Sequence, residues 1–377
     1  MPQALSPHLS TCFVNGQILR KHRLVNENLW IVNGKIAPAQ EKADIRHDMA
    51  GLIIAPGYID LQVNGGFGLD FSKDVNCGEV ISKGLLKHGV TSFLATLVSS
   101  SPASYKKLLP YLQNDSHVFG IHLEGPFLNP KQSGAHAKNC LQPLHLNSLK
   151  DIYGSFEKVK LVTLAPEIQG AYECIQQLKE KNIRVGAGHT NASYEEALEC
   201  FKKGVGLVTH LFNAMTPMHH RLPGIALAAL NTKGLYYSLI LDGLHVHPAV
   251  VELAWKANPL GLVLISDSMS ALGDKERKSF HLGEQEVEVK GSQAVLKGTD
   301  TLAGSILTLD QAVRNLREFT KCSIAYALEA ATLKPAEVLG ITHQKGTLNS
   351  GADADLIFLD EKLEVKGHFT PQSGLVM

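Results

Sequence analysis

Residues 183–193 read Ile-Arg-Val-Gly-Ala-Gly188-His189-Thr-Asn191-Ala-Ser193. They run on through Tyr194-Glu-Glu-Ala-Leu-Glu-Cys-Phe-Lys-Lys203 to Gly204-Val-Gly-Leu-Val-Thr-His210-Leu-Phe-Asn213-Ala-Met215. A short apolar run is followed by a segment with helical spacing behind the cap candidates Asn191 and Ser193, and then by a second apolar run. That is a β-α-β unit, which joins parallel strands. The pattern predicts strands over 183–188 and 206–211 and a helix over 194–203. Outward from this unit the same alternation recurs, with strands expected at 55–63, 90–98, 118–123, 160–165, 236–241 and 262–266. Eight such units over about 250 residues, each strand apolar on both faces, predict a closed (β/α)8 TIM-like barrel rather than an open doubly wound sheet.

The ends of the chain have another texture. Residues 12–50 hold short strand-like pieces broken at Asn15-Gly16 and Asn33-Gly34, both hairpin signals, and the tail from Gly346 repeats that pattern. Residues 1–52 and 345–377 are therefore expected to form one small β-sandwich domain built from both termini, around a barrel domain over 53–344.

Composition narrows the class. Of 377 residues 44% are hydrophobic and 19% charged, the balance of a packed globular protein. Lys plus Arg and Asp plus Glu are 36 each, so no overall charge points to nucleic acid or an anionic membrane. No apolar run approaches the roughly 18 residues of a membrane span, and no secretory leader is expected. The six cysteines stand singly, without zinc-finger or disulfide spacing, which suggests a cytoplasmic protein.

In such a barrel, functional groups follow the strands. Here six runs end in Gln62-Val-Asn64, His122-Leu-Glu124, Gly188-His189, Thr209-His210, Asp242-Gly-Leu-His245 and Ser266-Asp267. Glu124, His189 and His210, from three different strands, can converge on one point. Two imidazoles and a carboxylate leave an open position on a zinc-like ion, as hydrolytic sites require. His122 shares a strand face with Glu124 and is expected to support it or simply to pack. Asp267 suits proton transfer to and from a water. Arg221 follows His219 and His220 in a loop that alone reads as exposed and charged; its place on the rim makes it the candidate holder of a phosphate. His136 belongs to a loop at the same mouth.

The strings His122-Leu-Glu-Gly-Pro-Phe-Leu-Asn-Pro130, Gly188-His-Thr-Asn-Ala192, Thr209-His-Leu-Phe-Asn-Ala-Met215, Asp242-Gly-Leu-His245 and Ser266-Asp267 resemble the N-acetylglucosamine-6-phosphate deacetylases of the amidohydrolase superfamily. The likeness extends to Ala55-Pro-Gly-Tyr-Ile-Asp60 and Leu302-Ala-Gly-Ser305 and covers essentially the whole chain. It implies Glu124, His189 and His210 as metal ligands, Asp267 as acid/base, and His245 on the carbonyl or developing oxyanion. It also implies a sugar-phosphate site made of Ala135, His136, Asn213, Ala214, Asp242, His245, Leu302, Ala303 and Gly304. Arg221 would reach over from the neighbouring subunit of a homodimer.

One departure matters. Many amidohydrolases carry His-x-His after the first strand for a second metal, where this chain has Gln62 and Asn64, and strand four ends in Ala165-Pro166-Glu167 without a bridging lysine. One divalent ion per chain, most simply zinc, is expected. The activity implied is deacetylation of N-acetylglucosamine 6-phosphate. The C4 epimer, N-acetylgalactosamine 6-phosphate, is the alternative substrate. A non-enzymatic barrel is the rival of a different class, although a scaffold has no use for an open metal position.

Overall fold

The computed structural model describes residues 10–145, 148–274, 276–277 and 279–377. Eight parallel strands form one sheet in sequential order: β1 (Tyr58–Val63), β2 (Val90–Leu97), β3 (Gly120–Glu124), β4 (Val159–Leu164), β5 (Arg184–Ala187), β6 (Val205–Val208), β7 (Tyr236–Leu239) and β8 (Leu262–Leu264). A parallel bridge between Val63 and Ser268 joins the first strand to the segment following the last. Across this seam the buried Asp60 carboxylate accepts the amides of Gln62 and Ser266, and burial raises its pKa to about 6. Every residue of β1 and β3 is buried, as expected of barrel strands covered on both faces.

The helix Tyr194–Lys203 forms where its sequence predicts. Ser193 accepts the amide of Glu196, and the Glu196 carboxylate accepts the amide of Ser193 in return, so two otherwise unpaired donors are satisfied at its start. Lys202 and Lys203 complement its C-terminal end. Asn191, the other cap candidate, serves a different purpose described below.

The described chain divides into two compact units, one of Asp60–Gly84 and Phe93–Thr308, the other of Met1–Ile59, Leu85–Ser92 and Leu309–Met377. The second unit contains two sheets. A four-stranded sheet has the order Lys35–Ala37, Leu29–Val32, Thr11–Val14, Ile45–Asp48. A six-stranded sheet runs Gly374–Val376, Val365–Thr370, Leu356–Leu359, Ile53–Pro56, Gln17–Arg20, Arg23–Asn26, so three strands from late in the sequence join three from early in it where Leu356–Leu359 pairs with Ile53–Pro56. Phe13 of the smaller sheet meets Phe358 and Phe369 of the larger at ring-centroid distances of 5.3 and 5.5 Å. These rings centre a core that includes Ile18, Leu29 and Ile54.

Two features differ from the sequence reading. The run 55–63 is not one strand. Ile53–Pro56 pairs with Leu356–Leu359, while β1 begins at Tyr58. Gly57 makes the break: its amide bonds to Asp355, and a Cβ there would lie 2.0 Å from Thr91 Oγ1. Beyond β8 the chain also forms an unforeseen three-stranded antiparallel sheet, Ser279–Leu282, Gln285–Lys290 and Gln293–Leu296. Its turns at Gly283-Glu284 and Gly291-Ser292 were the available signal.

Candidate active site

At the C-terminal ends of the barrel strands lies a cavity of about 400 Å³, with Glu124, His189, His210, Asp267 and His245 in its wall. Glu124 ends β3 and is followed by Gly125, whose φ of +81° and proximity to Ser99 Oγ (2.2 Å from a hypothetical Cβ) demand glycine. Three more of these residues are themselves in left-handed backbone: His189 at φ +50°, His210 at +34° and Asp267 at +49°. Such conformations cost L-residues on the order of 1–3 kcal/mol each and collect where function over-determines them.

Glu124 Oε1 lies 2.8 Å from His210 Nε2 and 3.3 Å from His189 Nε2, and the two imidazole nitrogens are 3.2 Å apart. Ligands at zinc-like bond lengths around a tetrahedral ion are separated by about 3.3 Å, close to two of this triangle's three edges, while the Glu124–His210 edge is hydrogen-bond length. The hydrogen bonds behind it fix which nitrogens are free. His189 Nδ1 is 2.8 Å from the carbonyl of Gln132, which can only accept; Nδ1 therefore carries the proton and Nε2 presents its lone pair. Nδ1 of His210 is buried and has no partner among the described residues.

His136 also approaches. With Glu124 and His189 it forms a second trio of potential ligand atoms within 4.8 Å. Its Nδ1, however, accepts the amide of Ser99 at 3.1 Å, which places the proton of the neutral ring on Nε2, 3.6 Å from Glu124 Oε2. A protonated nitrogen donates and does not coordinate. The donor chemistry thus fits an ion in the Glu124–His189–His210 triangle, with His136 as a hydrogen-bond donor at its side.

The charges are mutually dependent. Burial would raise the Glu124 carboxyl, but the imidazoles of His136, His189 and His210 outweigh it and hold the group well below the usual range. Burial pushes His189 down to about 4. Asp267 moves the other way, up to about 7, through burial first and the Glu124 charge second. Its Oδ1 accepts the side-chain amides of Asn64 (2.7 Å) and Gln62 (3.0 Å). The two residues that stand where a second metal's histidines would be are therefore amide donors that clamp one oxygen of Asp267.

His245 is held from behind. Its Nδ1 lies 2.6 Å from Asp242 Oδ2, leaving Nε2 toward the cavity. Burial would raise the Asp242 carboxyl, yet the His245 contact carries it below the ordinary range. Asp242 Oδ1 accepts the amides of Leu244 and His245, so both its oxygens act on this loop, and Asp242 is not among the residues of the cavity wall. Ala135, His136, Asn213, Ala214, Leu302 and Gly304 do line the cavity; Ala303 is fully buried instead, its amide bonded to Ala294. Arg221 is exposed and outside the wall of its own chain's cavity. His122 is inside the barrel, between Thr163 and Thr96, at 2.8 and 3.3 Å. Asn64, from the end of the first strand, lines the cavity as well, and lining residues not foreseen include Lys131, Gln132, Asp300 and Thr301. Of these, Asp300 and Thr301 follow the unforeseen three-stranded sheet.

A parallel barrel with two imidazoles and a carboxylate converging beside a second carboxylate at its C-terminal rim offers a candidate metal site of the kind a metal-dependent hydrolase has, and the chain belongs to the amidohydrolase family, whose model matches residues 53–374. Among curated relatives it is 43% identical to the N-acetylglucosamine-6-phosphate deacetylase of Danio rerio, with 94% of each chain covered. Within the larger family it is thus a member of the N-acetylglucosamine-6-phosphate deacetylases. An N-acetylgalactosamine-6-phosphate deacetylase of Escherichia coli O157:H7 is 34% identical over 93% of this chain and 96% of the relative. Among solved structures, a mutant N-acetyl-D-glucosamine-6-phosphate deacetylase of Mycobacterium smegmatis in complex with N-acetyl-D-glucosamine-6-phosphate superposes with a TM-score of 0.90 at 29% identity, covering 99% of this chain and 100% of the other. No helix among the described residues is long and apolar enough to cross a membrane.

Proposed function

We propose that this chain hydrolyses the acetamide of N-acetylglucosamine 6-phosphate to glucosamine 6-phosphate and acetate, using one zinc ion held by Glu124, His189 and His210. The observation that carries this reading is the convergence of three ligand atoms within 3.3 Å of one another, beside Asp267 and His245, in one cavity. When bound, such an ion supplies Lewis acidity to the amide carbonyl and to the attacking water. Asp267, with Oδ1 clamped by two amides, takes a proton from that water on Oδ2 and delivers it to the departing nitrogen, for which a pKa near neutrality is suited. His245, its Nδ1 proton held by Asp242, faces the carbonyl oxygen through Nε2, and His136 offers a second donor from Nε2. The gluco substrate is preferred over its C4 epimer because the closer relatives act on the gluco sugar.

The same proposal includes a homodimer in the cytoplasm. Arg221 lies outside its own chain's cavity, where a guanidinium from a second copy would meet the substrate phosphate, and all six cysteines are free and buried, in keeping with a reducing compartment. Elemental analysis of the purified protein, after loosely held ions are removed, should give about one zinc per chain. Two tightly held ions would require ligands that the Gln62 and Asn64 amides do not provide.

The activity test is acetate release from N-acetylglucosamine 6-phosphate, its galacto epimer and the unphosphorylated sugar in parallel. The first should be the best substrate by kcat/KM. In the same assay Arg221→Ala should lose about 30-fold or more on the phosphorylated sugar, the lower end of the cost of truncating one partner of a buried charge pair. The poor activity on the unphosphorylated sugar should barely change. Equal losses on both substrates would mean that Arg221 acts on folding or assembly and not on phosphate.

A further inference from the structure

Glu167 follows β4, where the chain offers no metal-bridging lysine, and its carboxylate is fully engaged. Oε1 accepts the side-chain amide of Asn129 and the backbone amide of Asn191, both at 2.7 Å; Oε2 accepts the hydroxyl of Thr190 at 2.5 Å. One side chain therefore ties the loop after β3 to the loop after β5, on either side of the strand that carries it. Asn191 extends the tie, since its Oδ1 accepts Gln132 Nε2 at 2.5 Å and Thr216 Oγ1 at 3.0 Å. Gln132 in turn offers its backbone carbonyl to His189 Nδ1 at 2.8 Å, and the amide of Asn129 bonds to the carbonyl of His189 at 3.0 Å. The contacts close on themselves, from Glu167 through Asn191 and Gln132 to the His189 ring, and back through Thr190 to Glu167.

We infer that Glu167 is a positioning residue for the metal site: through Asn129, Thr190 and Asn191 it fixes the Gln132 carbonyl that holds His189 in the Nδ1-protonated tautomer. The inference rests on the reading of His189 as a ligand. His189 has a left-handed backbone, a conformation that persists only where its surroundings enforce it, and Glu167 bonds to the two residues that follow it. Without the carboxylate, Thr190, Asn129 and the Asn191 amide lose their common acceptor. The Gln132 carbonyl then drifts, and the imidazole is free to exchange tautomers or rotate. An outer-shell partner of this kind typically contributes about 10–100-fold to metal affinity.

The test is zinc affinity by chelator competition on the full chain, beside kcat at saturating zinc, the melting temperature of the metal-free protein, and nitrogen-15 histidine spectra that report the His189 tautomer. Glu167→Ala should weaken zinc by about 10–100-fold, keep kcat at saturating zinc near wild type, and turn a single His189 tautomer into a mixture. Glu167→Gln should hold zinc nearly as well as wild type, because its amide can keep Asn129 and Asn191 on the oxygen and face Thr190 with the nitrogen. If Glu167→Ala does not fold, Asn191→Ala, which cuts the path to Gln132 while leaving Glu167 and His189 in place, should show the same loss. A folded Glu167→Ala protein with wild-type zinc affinity and a single tautomer would overturn the inference and leave Glu167 as a loop clamp only. A wild-type chain that binds no zinc would instead bring down the metal-site reading, and this inference with it.

Discussion

Asp267→Asn should give a folded, zinc-loaded protein whose kcat is lower by about 100–10,000-fold, the range for removal of a general acid/base. The geometry makes this substitution unusually clean. Asp267 Oδ1 accepts two side-chain amides, from Asn64 and Gln62, and the carbonyl oxygen of an asparagine can accept both in the same position. The new nitrogen then stands where Oδ2 was. It can donate a hydrogen bond to a water but cannot take its proton. Zinc content and melting temperature should stay near wild type while acetate release collapses. If turnover were close to normal, the proton would have to go elsewhere, and His245 on the same cavity wall would be the group to examine.

Glu124→Gln should abolish both tight zinc binding and turnover. The carboxylate supplies the only negative charge in the ligand triangle and is approached by three imidazoles, with contacts of 2.8, 3.3 and 3.6 Å. A neutral amide is a poor ligand for a zinc-like ion, and its NH₂ can donate to the imidazole lone pair of His189 Nε2 that the ion would otherwise use. The affinity loss should exceed the roughly 100-fold upper range for outer-shell partners, since a first ligand is removed. Isothermal titration with zinc measures the first effect and acetate release the second. Retained stoichiometric zinc in this variant would transfer the carboxylate role away from Glu124.

The barrel and the ring of polar residues on its rim were legible because they are local facts. Each strand announces itself by an apolar run, and His189, His210 and Asp267 come immediately after one. The helix Tyr194–Lys203 was legible to the residue because its cap, Ser193 with Glu196, is encoded within four positions. What escaped depends on partners distant in sequence. Nothing local shows that Gln62 and Asn64 clamp a carboxylate more than 200 positions away, or that Glu167 joins loops on either side of its strand. Nor does the string Asp242-Gly-Leu-His245 by itself show that the Asp242 carboxylate holds the His245 ring three residues on. The break at Gly57 was hidden because an apolar run looks the same whether one sheet or two receive it.

The six-stranded sheet has a consequence for how this protein is made. Ile53–Pro56 can pair with Gln17–Arg20 as soon as both have been synthesised, since Gln17 meets Ile53 and Ile18 meets Ile54 in a parallel register. Its other edge belongs to Leu356–Leu359, with Ile53 opposite Leu359. At about 5–20 residues per second, that partner leaves the ribosome on the order of 15–60 s later. Throughout that interval an apolar edge strand lies open on the nascent chain, the kind of surface that templates aggregation. A chain whose synthesis stopped before Leu356 would keep this edge exposed, so Leu356–Leu359 acts as the seal on Ile53–Pro56.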